Sequence, residues 1–223
     1  MTNFVKRIFK LFFGLFLSTL GIVMTMKANL GFIPWDVLHQ GVANTVGMTV
    51  GRVIILIGLI ICIICLFLGE KFGFGTITNI IFIGLFIDIL LSFDFIPQMK
   101  GYITGIAMMM AGLFTVAFGT YFYISSGFCA GPRDNLMVAI ERKTGLAVGL
   151  CRGLLEVSAV FSGWFLGGPV GFGTILSAFG ISFCIQIVFS LMKFDPTKID
   201  HESLITTSKF LIHFLKARTL GSY

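Results

Sequence analysis

Two short stretches hold the residues best placed to do chemistry. Ile33-Pro34-Trp35-Asp36 and Gly131-Pro132-Arg133-Asp134 each carry a carboxylate two positions after a proline. Proline is favoured at the first position of a helix, where its missing N–H loses nothing, so each Asp falls on a first turn. The free N–H groups and dipole at such a start attract anions, while two carboxylates can bind a cation or carry protons. Trp35 stands where the second stretch has Arg133, so one stretch offers an aromatic wall and the other a charge. Plain capping fits the same pattern, because Asp in a first turn stabilises a helix by about 0.3 to 1 kcal/mol.

Four more ionisable residues are candidates for binding a solute or ion. Asp88 and Glu156 lie inside long apolar runs, where an unpaired charge costs at least about 2.5 kcal/mol at mid-depth of a membrane. Arg52 and Arg152 stand near helix starts and could pair with those acids or with Asp36 and Asp134; snorkelling to the interface is the alternative. His39, His201 and His213 have no ligand-type spacing, so no metal site is expected. Cys62, Cys65, Cys129, Cys151 and Cys184 lie mostly in or beside apolar runs and read as small apolar fillers. With no nucleophile–base motif, metalloprotease signature or P-loop, the pattern predicts neither catalytic residues nor a cofactor nor ATP-driven work.

The elements that position these residues are membrane helices. Hydrophobic residues make up 57% of 223 positions and charged residues 12%, more apolar surface than one soluble core could cover. The net charge of +6 comes from basic residues scattered between apolar runs, which argues for membrane orientation over nucleic-acid binding. Apolar runs at roughly 11–26, 50–68, 74–93, 102–124, 146–166 and 172–192 predict six crossings. The Pro-started segments 34–46 and 132–143 are too short to cross and are expected to re-enter or lie at the interface. Lys6, Arg7 and Lys10 precede the first run as in a signal peptide, but no cleavage site follows, so that run is kept as a helix. With the N-terminus inside, Lys27, Arg52 and Lys100 are the outer basic residues among 16, which puts both termini in the cytoplasm. Letting the two short segments cross as well gives eight spans and the same distribution.

Sliding the chain by 98 residues aligns Pro34 with Pro132 and Asp36 with Asp134. Gly14, Gly21, Gly47 and Gly51 fall on Gly112, Gly119, Gly145 and Gly149, and Gly73-Phe74-Gly75-Thr76 on Gly171-Phe172-Gly173-Thr174. Gapless agreement of Pro, Asp and Gly reads as an internal duplication. Three crossings per copy invert the second copy relative to the first, which brings equivalent short segments to one central site. Gly73, Gly75, Gly171 and Gly173 read as helix-packing positions. Gln186 matches Asp88, so any polar path is asymmetric. The tail from Ser203 to Leu220 is amphipathic and is expected on the inner membrane surface.

Gly131-Pro132-Arg133-Asp134-Asn135-Leu136-Met137, Thr144-Gly145, Val148-Gly149, Arg152, Glu156 and Gly171-Phe172-Gly173-Thr174 resemble the YczE-like bacterial integral membrane proteins, which are related to the broader YitT group. The resemblance covers nearly all but the tail and implies the bacterial cytoplasmic membrane; it brings no substrate. The first copy departs from the motif by lacking the Arg.

The expected fold is an all-α polytopic transmembrane bundle of about six spans: a first repeat over 1–100, an inverted second repeat over 101–192 and a cytoplasmic tail over 193–223. The expected function is a small-solute transporter or permease, with a passive channel or a membrane scaffold as the alternatives. The expected partners are lipid, a small solute or ion, and a second copy in a homodimer.

Overall fold

The computed structural model describes residues 2–70, 73–128 and 131–195. The predicted tail helix, His201, His213 and Cys129 lie outside those residues. Among the described residues the chain is all-helical: α1 (Thr2–Lys27), α2 (Pro34–Val46), α3 (Val50–Phe67), α4 (Phe74–Phe93), α5 (Tyr102–Ile124), α6 (Pro132–Thr144), α7 (Val148–Phe165) and α8 (Phe172–Leu191).

Local chemistry sets the ends of the short helices. Pro34 and Pro132 open α2 and α6, and Gly47 and Gly145 close them, both with φ 70°. That left-handed turn favours glycine and lets each N–H return to the last helical carbonyls. At 13 residues each, the two helices reach about 20 Å, well short of a hydrocarbon layer of about 30 Å.

Among the described residues five helices, α1, α3, α4, α5 and α8, are long and apolar enough to cross a membrane. The remaining predicted crossing, α7, is not among them: it has 18 residues but carries Arg152 and Glu156. Phe67 is 87% exposed, Ile103 82% and Phe179 72%, a surface that calls for lipid as its solvent.

The antiparallel pair α1 and α5 forms the centre. A Cβ at Gly14 would stand 2.8 Å from the Gly119 carbonyl oxygen, and one at Gly21 only 2.6 Å from that of Gly112. Backbones this close are open to glycine alone, and the reversed order of the partners fixes the direction. Leu11, Leu15, Met109 and Leu113, all fully buried, fill the rest of this pair's inner surfaces. α4 packs on α1 and α8 on α5, while α2 lies against α7 and α6 against α3.

Two backbone bonds lock the loops to the helix starts. The Gly75 N–H donates to the Phe128 carbonyl at 2.8 Å, and the Gly173 N–H to the Leu30 carbonyl at 2.6 Å. Donors and acceptors are each 98 residues apart, so one bond is the other with the two halves exchanged. The helix lengths follow the same spacing, 13, 18 and 20 residues for α2 to α4 and again for α6 to α8.

Candidate functional site

The starts of α2 and α6 face one cavity of about 450 Å³, walled by α1, α3, α4, α5, α7 and α8. Small-molecule pockets span about 300 to 1,000 Å³, so the size suits a small solute. Much of the wall is apolar, with Ile22, Ile54, Ile61, Ile80 and Ile83 among its residues.

Against that wall stands a set of polar groups drawn from both halves. Asp36, 1% exposed, has its Oδ1 3.2 Å from Nδ1 of His39, itself 2% exposed, and 3.8 Å from an Arg133 guanidinium nitrogen. An ionised carboxylate only accepts, so this geometry puts the His39 proton on Nδ1. The Arg133 guanidinium also lies over the Trp35 ring, 5.0 Å from its centroid, a cation–π contact worth about 0.5 to 2 kcal/mol depending on desolvation. The Tyr123 hydroxyl donates to Asp134 at 3.4 Å. Arg152 Nε donates to Glu156 Oε1 at 3.1 Å, one turn along α7. Two helix starts, with their positive dipole ends, therefore meet three carboxylates and two guanidinium groups in one space.

Seven of the ten predicted binding residues line this cavity: Trp35, Asp36, Pro132, Arg133, Asp134, Arg152 and Glu156. Pro34 opens α2 and is buried beside it. Asp88 lies elsewhere: its Oδ2 accepts from the Thr49 hydroxyl at 2.6 Å and its Oδ1 from the Gly51 N–H at 2.8 Å. It thereby satisfies donors at the start of α3 that the helix itself leaves open. Arg52 is exposed on that same first turn. Of the four glycines expected to serve helix packing, Gly73 and Gly171 are N-cap residues, and Gly75 and Gly173 sit against Phe128 and Leu30.

Sequence reasoning passed over Ser18, Asn79, Thr120 and Tyr123, which also line the cavity. A polar side chain within a lipid-type run was the available signal for each. Ser18 Oγ is buried with no hydrogen-bond partner in the cavity wall. Among the described residues, no three His, Cys, Asp or Glu side chains are grouped as a metal ion requires.

Residues 5–190 match the family of unknown function DUF6198. The chain is 39% identical over 170 residues to the "uncharacterized membrane protein YczE" of Bacillus subtilis, covering 75% of this chain and 78% of that one. An "uncharacterized protein" of Haemophilus influenzae is 33% identical over 187 residues, 84% of this chain and 85% of its own. A third relative, YyaS of Bacillus subtilis, is 29% identical over 170 residues, 74% and 83% of the two chains. No solved structure matches. Apolar helices long enough to cross a bilayer and a YczE-like sequence make this a multi-pass membrane protein, and the chain belongs to the DUF6198 family.

Proposed function

We propose that the protein is a small-solute transporter or permease whose site is the cavity between the starts of α2 and α6. The observation that carries this reading is the convergence of two half-length helices, one from each half of the chain, on a cavity holding unpaired polar capacity. Broken or short helices that meet at mid-membrane with their N-terminal ends toward a solute are the hallmark of repeat-built transporters.

The same reading treats the chain as an inverted repeat in the bacterial cytoplasmic membrane, with both termini inside and α7 as the sixth crossing. Support comes from the antiparallel run of α1 and α5, because helices 98 residues apart and opposite in direction are what an in-plane two-fold axis requires. Further support comes from exchanged contacts. Gly14 meets Gly119 and Gly21 meets Gly112, so each glycine touches the counterpart of the other, as across any two-fold interface. Arg152 and Glu156 line the cavity, so α7 would cross the bilayer with its charged pair turned from lipid. The charges of both signs fit a polar or charged solute. The reading involves no catalytic residue, cofactor or nucleic acid; lipid is the surrounding partner, and a homodimer is open to it.

The experiment is solute-induced thermal stabilisation of the purified protein across a chemically broad panel. Specific binding raises apparent stability, by about 2.7 kcal/mol at a concentration one hundred times Kd. The expected result is a stabilising solute whose shift is lost in both Asp36→Asn and Asp134→Asn. If no solute shifts the wild type, or the shift survives in both variants, the cavity is not the site and a scaffold role gains.

A further inference from the structure

The helix contacts of the two halves match when the halves are exchanged, with one exception. α2 on α7 is answered by α6 on α3, α1 on α4 by α5 on α8, and α2 on α3 by α6 on α7. α3 also lies along α4, whereas among the described residues α7 and α8 share no comparable packing.

The residues show why one seam is shut and the other open. On the first seam a Cβ at Gly84 would stand 2.5 Å from the Gly51 carbonyl oxygen. Asp88 on α4 ties down the start of α3 through Thr49 and the Gly51 N–H. On the second seam the matching positions are Ser182, Gly149, Gln186 and Ala147. A Cβ added at Gly149 or Gly153 would meet nothing within 4 Å. A cleft of about 480 Å³ lies there instead, lined by Arg152, Ser182, Gln186 and Ser190, and Arg152 also lines the central cavity.

The two seams lie at opposite ends of the central pair. The end of α4 sits by the end of α1, where Lys27 pairs with Asp94. The end of α8 sits by the end of α5, where the Tyr121 and Phe194 rings are 5.1 Å apart.

We infer that the α7–α8 cleft is the open gate of the central cavity, that the α3–α4 seam is its shut gate, and that the protein works by exchanging the two states. This deepens the transporter reading and rests on it. In the exchanged form α7 closes onto α8 with Gly149 beside Ser182, whose side chain holds this seam wider than the Gly51–Gly84 contact, and the longer Gln186 side chain reaches across so that its carboxamide oxygen accepts from the Gly149 N–H. The first seam parts, freeing Thr49 and Asp88. Because Arg152 lines both cavity and cleft, the charge of a bound solute bears directly on the closing helix.

Spin-label pairs in bilayer nanodiscs read both gates. One pair sits at Arg52 and Ser92, the other at their counterparts Leu150 and Ser190, in a chain whose five native cysteines are replaced. All four positions are exposed; Ser190 also lines the cleft, while Arg52, Ser92 and Leu150 lie outside the contacts just described. The expected wild-type result is a longer distance for 150–190 than for 52–92. Gly51→Leu wedges the first seam, so 52–92 should lengthen while 150–190 shortens. Gly149→Leu has room in the observed form and should hold both distances there. Should Gly51→Leu fail to fold, Asp88→Ala releases the same seam and should give the same reciprocal shift.

A first seam that opens while the second stays put overturns the inference, as do equal distances in the wild type. Binding measured on the solute panel separates the two readings. Solute shifts lost in Asp36→Asn and Asp134→Asn with rigid gates keep the site and sink the exchange. Reciprocal gates with no solute shift sink the site and keep the exchange.

Discussion

Asp36 and Arg133 join the two half-length helices by charge, and the strength of that link can be measured. The groups are 3.8 Å apart. At that separation unit charges attract by about 4 kcal/mol at an effective dielectric of 20 and by about 1 kcal/mol in water. The Asp36 side chain is 2% exposed but that of Arg133 is 35% exposed, so solvent screens one partner and the coupling falls to about 2 kcal/mol. A double-mutant cycle isolates it. Asp36→Asn keeps the shape and an acceptor for His39, and Arg133→Gln removes the guanidinium charge. Thermal unfolding in mild detergent would be followed for the four proteins of the cycle. At about 2 to 4 °C per kcal/mol for a chain of this size, the double variant should lose about 4 to 8 °C less than the two single losses together. Each single change leaves one of the two charges without this partner, whereas the double change removes both. Losses that add to within about 0.5 kcal/mol would refute the coupling and leave Asp36 and His39 as a pair separate from Arg133.

Gly21→Ala should abolish monodisperse folded protein in detergent, because its Cβ would press on backbone atoms of Gly112 and Val116, both at 2.6 Å. Gly153→Ala is the matched control: with nothing within 4 Å, it should stabilise by about 0.4 to 1 kcal/mol in the same melt. Thr49→Val removes both a helix cap and a donor to Asp88 and should cost about 1 to 2 kcal/mol, whereas changing its counterpart Ala147 to Val should cost little. Tyr123→Phe should cost under about 1 kcal/mol of stability, since its bond to Asp134 is long at 3.4 Å. It should nonetheless alter which solutes stabilise the protein.

The helices were legible because their signals are local. Pro34 and Pro132 mark starts, Gly47 and Gly145 mark ends, and length separates short segments from crossings. Convergence of Trp35, Asp36, Arg133 and Asp134 was also within reach, since they share one offset in the chain. Asp88 was misread for a physical reason: an acid deep in an apolar run signals that some partner exists, not which one. Its partners, Thr49 and Gly51, lie about 40 residues away, and only packing selects them. Tyr123 and Asn79 were missed because a helix carries no mark of which face turns inward until its neighbours are set. The unequal seams were hidden for a related reason. Gly51 and Gly149 are the same letter at the same offset, and the difference lies in Gly84 and Asp88 against Ser182 and Gln186 across from them.

The looseness of the polar set weighs on how it is used. Groups buried for stability alone tend to close into bonds of about 2.7 to 3.2 Å with every donor and acceptor matched. Here Arg133 stands 3.8 Å from Asp36, Tyr123 stands 3.4 Å from Asp134, and Ser18 Oγ has no hydrogen-bond partner. Contrast the seam at Asp88, where both carboxylate oxygens are bonded at 2.6 and 2.8 Å and no cavity intervenes. The same chain thus satisfies an acid fully where helices meet and leaves three groups under-satisfied around one space. Filling that space with apolar side chains would have removed the expense of burying charge. The polar set around this cavity is thus the feature on which the proposed solute site rests, and Asp36→Asn with Asp134→Asn tests it directly.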